Sequence, residues 1–221
     1  MVQLYDQLLR YSLFLGMSHA DLMQLVGNTR FQFSRFDPQK VILQDGDLCH
    51  SLLFLMKGEI QVQSFSDDRS YSVLENLAAP WMIEPESLFG LSPRYAKNYR
   101  TLTECHFLIL SKDEVLKLFD NFLTFRLNYL NLLATAGQQR GRRSWRKPPQ
   151  SLEQRISRFF IDHCIYPAGT KEFRILMKQL AAIVNDSRLD VSAVLNDMQQ
   201  KNLIELSRGR IVIPSLERLF M

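Results

Sequence analysis

Cysteine is scarce in this 221-residue chain: Cys49, Cys105 and Cys164 are three, odd in number and far apart. That pattern argues against a disulfide framework and fits a reducing compartment. No apolar run reaches the ~18–20 residues that a membrane-spanning helix needs, so the chain reads as soluble, with no membrane partner. The stretch from Met1 to Leu15 lacks the basic, apolar, small-residue order of a secretory signal. It is expected to be mature structure, and the protein cytoplasmic. Also missing are a nucleophile–base set, a clustered metal-ligand set and a phosphate-cradling glycine loop. The chain is therefore not expected to be an enzyme or to carry a metal or cofactor. Hydrophobic residues make up 46% and charged residues 23%, the ordinary globular mix, which excludes a disordered chain or a coiled-coil rod. The length suits one large domain or two small ones, with a core that needs no disulfide staples.

The net charge of +4 is unevenly spread. Residues 1–137 hold 12 Lys/Arg against 15 Asp/Glu, and residues 138–221 hold 15 against 8. An acidic front and a basic back suggest two modules with different partners. A solvated basic face gives the same sum.

The front half is filled with short alternating runs: Phe31–Phe36, Ile60–Phe65, Tyr71–Leu74 and Phe107–Leu110. Leu52–Met56 is continuously apolar, as in a strand buried on both faces. Asp45-Gly46-Asp47, Lys57-Gly58 and Ser66-Asp67-Asp68 supply turns between them. Many short strands with Gly/Asp turns predict an antiparallel roll or barrel. Ser18-x-x-Asp21 and Ser111-x-x-Glu114 predict capping boxes that open helices on either side of it.

A longer helix is predicted from about Asn121 to Gln139. Leu123, Leu127, Leu130, Ala134 and Gly137 fall at spacings of 4, 3, 4 and 3. That stripe is either the seam of a two-helix dimer or a face packed on its own domain. Beyond it lie Arg140, Arg142, Arg143, Arg146 and Lys147, then Pro148-Pro149, which ends any helix before it. The basic segment is a solvated hinge or a set of phosphate contacts, with Trp145 available to pack at the hinge.

The remainder reads as three helices and a hairpin. Ser151-x-x-Gln154 opens a helix with Ile156, Phe159, Phe160 and Cys164 on one side. Met177, Leu180, Ala181 and Val184 mark the second helix; Val191, Val194, Leu195 and Met198 mark the third. Asn185-Asp186-Ser187 forms the turn between them and supplies an N-cap. Leu203–Leu206 and Ile211–Ile213 read as strands joined at a tip of Arg208-Gly209-Arg210. This is a winged helix-turn-helix, in which Ala181 lets the two helices approach. Ser187, Arg188, Leu189, Ser192 and Ala193 would face a DNA major groove, and Arg208 and Arg210 its backbone.

Here the chain resembles the cyclic-AMP receptor protein / fumarate-nitrate regulator (Crp/Fnr) superfamily of bacterial transcription regulators. The resemblance rests on FLGMSHADLMQLV, on FDPQKVILQDGDLCHSLLFLMKGEIQV, on the helix-turn-helix, and on KNLIELSRGRIVI. It implies an α+β fold: an N-terminal antiparallel β-roll of the cupin-like, cyclic-nucleotide-binding type with flanking helices, a long dimerisation helix, and a C-terminal winged helix-turn-helix. The expected domains are a sensor roll over 1–120, the dimerisation helix and basic hinge over 121–147, and the DNA-binding domain over 148–221. The implied partners are double-stranded DNA and a second copy of the chain, with RNA polymerase as a further candidate.

The same resemblance implies a phosphate-binding cassette, usually Phe-Gly-Glu, a small and two apolar residues, then Arg with Ser, Thr or Ala. Leu88-Phe89 and Arg94 match it. Glu84-Pro85 stands where Gly-Glu is expected, and Tyr95 replaces the small hydroxyl residue. Proline removes a backbone N–H, and the carboxylates of Glu84 and Glu86 repel an anion. Glu84, Glu86, Ser87, Arg94 and Tyr95 are thus the candidate effector residues of a degenerate sensor with no named effector. The alternatives are a cyclic-nucleotide response through Arg94 and a constitutive DNA-binding dimer. The iron–sulfur branch of the family needs clustered N-terminal cysteines, and none precedes Cys49. In the recognition helix Arg188 is retained, while Leu189 and Ala193 replace the family's usual Glu and second Arg.

Overall fold

The computed structural model describes residues 2–143 and 145–220; Met1, Ser144 and Met221, and the side chains of Val2, Gln3, Arg143 and Phe220, lie outside the described residues. In chain order the elements are α1 (Val2–Leu8), α2 (His19–Asn28), β1 (Gln32–Phe36), β2 (Val41–Leu43), β3 (Ser51–Lys57), β4 (Glu59–Phe65), β5 (Ser72–Ala78), β6 (Trp81–Ile83), β7 (Asn98–Thr101) and β8 (Cys105–Ser111). Then follow α3 (Lys112–Asn121), α4 (Leu123–Arg143), α5 (Leu152–Asp162), β9 (Lys171–Arg174), α6 (Met177–Ile183), α7 (Arg188–Gln200), β10 (Glu205–Ser207) and β11 (Arg210–Ile213). The fold is α+β: an antiparallel jelly-roll-like front, a long helix and a winged helix-turn-helix. Among the described residues no helix is long and apolar enough to cross a membrane.

Two compact units emerge. The first holds residues 1–60, 77–96 and 100–146. Its four-stranded antiparallel sheet has the order β1-β8-β3-β6. Leu52, Leu53, Phe54 and Leu55 of β3 are all buried, as a central strand covered on both faces requires. Between β3 and β4 only glycine fits: Gly58 has φ +99°, and a Cβ there would lie 2.4 Å from the Glu104 carbonyl oxygen. The first capping box forms in full, with Ser18 Oγ accepting the Asp21 N–H at 3.1 Å and Asp21 accepting the Ser18 N–H at 3.3 Å. The second forms by half. Ser111 caps Glu114 at 3.3 Å, but the Glu114 carboxylate accepts the Arg30 N–H and the Lys117 ammonium instead.

The long helix α4 begins at Leu123 and continues to Arg143, into the basic segment. Phe125 and Tyr129 on one side are buried, and the Tyr129 hydroxyl donates to the Pro85 carbonyl at 2.5 Å. Trp145 does not pack: it is 90% exposed.

The second unit holds residues 61–76, 97–99 and 147–221. Ser151 caps α5 as its sequence predicts, accepting the Gln154 N–H at 3.2 Å. Ile156, Phe159 and Phe160 of α5 pack with Leu180, Val191, Leu195 and Met198 from the two following helices. The second unit's strands run β10-β11-β9-β5-β4. The alternation in the sequence does not predict β9. Lys-Glu-Phe-Arg is four residues with one apolar side chain, too short to show a period. The first strand of the hairpin also starts later than its apolar run. Asn202 turns left-handed (φ 56°) and the Leu203 N–H closes on the Met198 carbonyl, so Leu203 completes the C-terminal cap of α7 and the strand starts only at Glu205.

Candidate nucleic-acid interface

The helix-turn-helix is built by local chemistry. α6 ends in a two-bond cap: the Asn185 N–H reaches the Ala182 carbonyl at 3.3 Å, and the Asp186 N–H reaches that of Ala181 at 3.1 Å. Asn185 supplies the left-handed residue this needs, at φ 52°. Ser187 then caps α7, accepting the Asp190 N–H at 3.1 Å and donating to its carboxylate at 2.6 Å. The turn is also pinned from α5. Arg155 donates to the Val184 carbonyl at 3.0 Å and pairs with Asp186. No sequence spacing marks Arg155 for this role, because its partners lie 29 and 31 residues away.

α7 therefore starts at Arg188, and Arg188, Leu189 and Ala193 are exposed, Leu189 by 83%. Ser192 is half-buried. The Ser187 hydroxyl, read as a DNA-facing group, is engaged in the cap. The wing differs at its tip. Ser207 pairs with Arg210, so the loop between the strands is Arg208-Gly209 alone. Arg210 opens β11, and its guanidinium lies 3.3 Å from Glu172, which also holds Arg174 at 2.8 Å. A groove of about 370 Å³ runs between wing and helices, with Lys178, Arg188, Arg208 and Arg210 among its lining. Lys178, an exposed residue of α6, is a cation that the helix-turn-helix pattern does not single out.

Glu84 gathers two of the cassette's donors, and the other cassette residues have partners of their own. Glu84 is buried, with its backbone left-handed at φ 32°. Its carboxylate accepts the Ala96 N–H at 2.8 Å and the Ser87 hydroxyl at 3.1 Å. Glu86 faces Arg140 at 3.4 Å. Arg94 is exposed and donates to the Gly46 carbonyl at 2.6 Å. Tyr95 is buried and donates to the Ser51 carbonyl at 3.1 Å; burial raises its phenol pKa far above the usual value. Burial also raises all three thiols, Cys164 to about 12, so none is a thiolate at neutral pH. On α4, Leu123, Leu127 and Leu130 are 57%, 47% and 54% exposed, and Ala134 is exposed with them.

A family model described as a cyclic nucleotide-binding domain matches residues 33–122, and a Crp-like helix-turn-helix domain matches residues 154–220. The chain belongs to the Crp/Fnr superfamily of transcription regulators. Similar solved structures include the catabolite activator protein of Thermus thermophilus, at 19% identity over 95% of this chain and 97% of that one, TM-score 0.54. A transcriptional regulator of the Crp/Fnr family from Eubacterium rectale has 19% identity over 95% and 96%, TM-score 0.52. The sensor domain of the regulator DNR from Pseudomonas aeruginosa has 16% identity over 66% of this chain and 94% of that domain, TM-score 0.51. At such identities the likeness is one of fold. No curated protein sequence matches the chain. In this Crp/Fnr regulator the helix-turn-helix match follows the cyclic nucleotide-binding match along the chain.

Proposed function

We propose that this regulator is a homodimeric, sequence-specific DNA-binding protein whose roll does not respond to a cyclic nucleotide. One observation carries the DNA reading: α7 starts at Arg188 across a groove from the wing-tip Arg208, with Lys178 on the same lining. Entering a major groove about 12 Å wide, the start of α7 presents Arg188, Leu189 and Ala193 to base edges. Arg188 pairs with guanine O6 and N7, and Leu189 meets a thymine methyl. Arg208 contacts the backbone; Arg210, shared with Glu172, contributes less. Two copies join along Leu123, Leu127, Leu130 and Ala134, which places two α7 helices on one dyad.

The wing assignment has a direct test. Arg208→Ala should weaken binding to specific and random duplexes alike and lower the salt slope by about one. A loss confined to one base-pair position contradicts the assignment.

Glu84 supports the reading of the roll. Its carboxylate occupies the Ala96 N–H and the Ser87 hydroxyl, donors of the kind a phosphate needs. Pro85 offers no N–H, and Arg94 is turned onto a backbone carbonyl. A nucleotide phosphate entering there meets a fixed negative charge. Calorimetry with cyclic AMP or cyclic GMP at millimolar concentration should give no binding heat. A micromolar isotherm abolished by Arg94→Ala would establish a nucleotide-responsive regulator instead.

A further inference from the structure

The hairpin of β4 and β5 carries a feature that DNA reading alone does not explain. β5 pairs antiparallel with β9, matching Ser72 with Arg174, Val73 with Phe173, Leu74 with Glu172 and Glu75 with Lys171. β9 pairs on its other side with the wing strand β11, matching Arg174 with Arg210 and Lys171 with Ile213. The hairpin thus covers the edge that β9 would otherwise leave open. Val73 enters the core of the winged helix beside Phe159 and Phe173.

At the end of this pairing lies an ion pair with both side chains 1% exposed: Lys171 Nζ sits 2.8 Å from Glu75 Oε1. The Glu75 carboxylate also accepts the backbone N–H of Ile165 at 2.8 Å and of Tyr166 at 3.2 Å. The Lys171 ammonium lies 5.7 Å from the Tyr166 ring centroid. A carboxylate given three donors is fully satisfied; an ammonium deprived of it would be buried and unpaired. At the other end of β5, the His163 ring nitrogen Nδ1 donates to the Phe159 carbonyl at 2.7 Å, so in neutral His163 Nε2 accepts from the Tyr71 hydroxyl at 2.9 Å.

We propose that the 61–76 hairpin positions the wing, with Glu75 acting through Lys171 to hold β9 and hence β11 in register. Glu75 is a positioning residue and touches no DNA. The proposal rests on the wing-to-backbone reading above, since a wing that drifts matters only if it meets phosphate.

The test is amide hydrogen exchange on the full-length protein without DNA, paired with salt-dependent DNA binding. In Glu75→Ala, exchange in β9 and β11 should quicken roughly tenfold or more, while α7 and β3 keep their protection. The salt slope should fall by about one, as for Arg208→Ala. Replacing the pair with neutral groups, Glu75→Gln with Lys171→Met, should restore both readings, because the amide oxygen still accepts the Ile165 and Tyr166 N–H groups and no charge is left buried alone. Unchanged exchange in β9 and β11 would overturn the proposal. So would an equal loss of protection in α7, which marks a merely global effect, or a double variant that stays loosened. If the wild type shows no wing-dependent DNA binding, the DNA reading fails while the exchange result stands by itself.

Discussion

Leu127→Asp combined with Leu130→Asp should convert the protein to a monomer that no longer holds its operator. The reason lies in the two faces of α4. Phe125 and Tyr129 are buried against their own unit, whereas Leu123, Leu127 and Leu130 are about half-exposed in the single chain. Their spacing is that of a two-helix seam. Each leucine buried in such a seam contributes roughly 1.5–3 kcal/mol, and facing carboxylates there cost several kcal/mol unless they protonate. The same substitutions sit on exposed positions of the monomer, so its melting behaviour should change little. That separates lost association from lost folding. With one recognition helix per molecule, the gain from engaging two half-sites, about 10²–10⁴ in affinity, disappears. Sedimentation gives the mass and fluorescence anisotropy the affinity; an unchanged dimer mass places the contact elsewhere.

Arg188→Ala should have the second large effect. Arg188 is the first residue of α7, exposed, with Leu189 and Ala193 as exposed apolar neighbours on the side proposed to face DNA. Neither neighbour's side chain can donate or accept a hydrogen bond, so Arg188 is expected to carry most of the direct base discrimination. Its loss should cost about 1–3 kcal/mol on the specific site and relax the preference at one guanine per half-site. Binding to random DNA should fall by much less, since one cation among several is removed. Competition binding against single-base variants of the selected site checks this; an unaltered preference would make Arg188 a backbone contact.

What the sequence made legible was local. Asn185 and Ser187 mark the turn because a left-handed residue and an N-cap have few acceptable side chains. Leu52–Leu55 marks a central strand because it lacks alternation. The exposed leucine stripe of α4 shows in its spacing. What stayed hidden depends on partners far away in the chain. Glu75 and Lys171 are 96 residues apart, and each alone reads as a surface charge. β9 shows no period in four residues and becomes a strand through its neighbours β5 and β11. Glu84 reads as a residue that repels an anion; its bond to the Ala96 N–H shows a carboxylate already seated. Arg210 reads as a wing-tip cation until the Ser207 pairing and Glu172 place it inside the sheet.

The central claim is that two copies of this chain read DNA through paired α7 helices without a nucleotide effector. Selection of bound duplexes from random sequence, with purified wild-type protein and no added small molecule, tests it most directly. The account predicts enrichment of a dyad-symmetric site with half-site centres about 34 Å apart and a guanine in each half. Enrichment of an unsymmetric site, or of none, would contradict it.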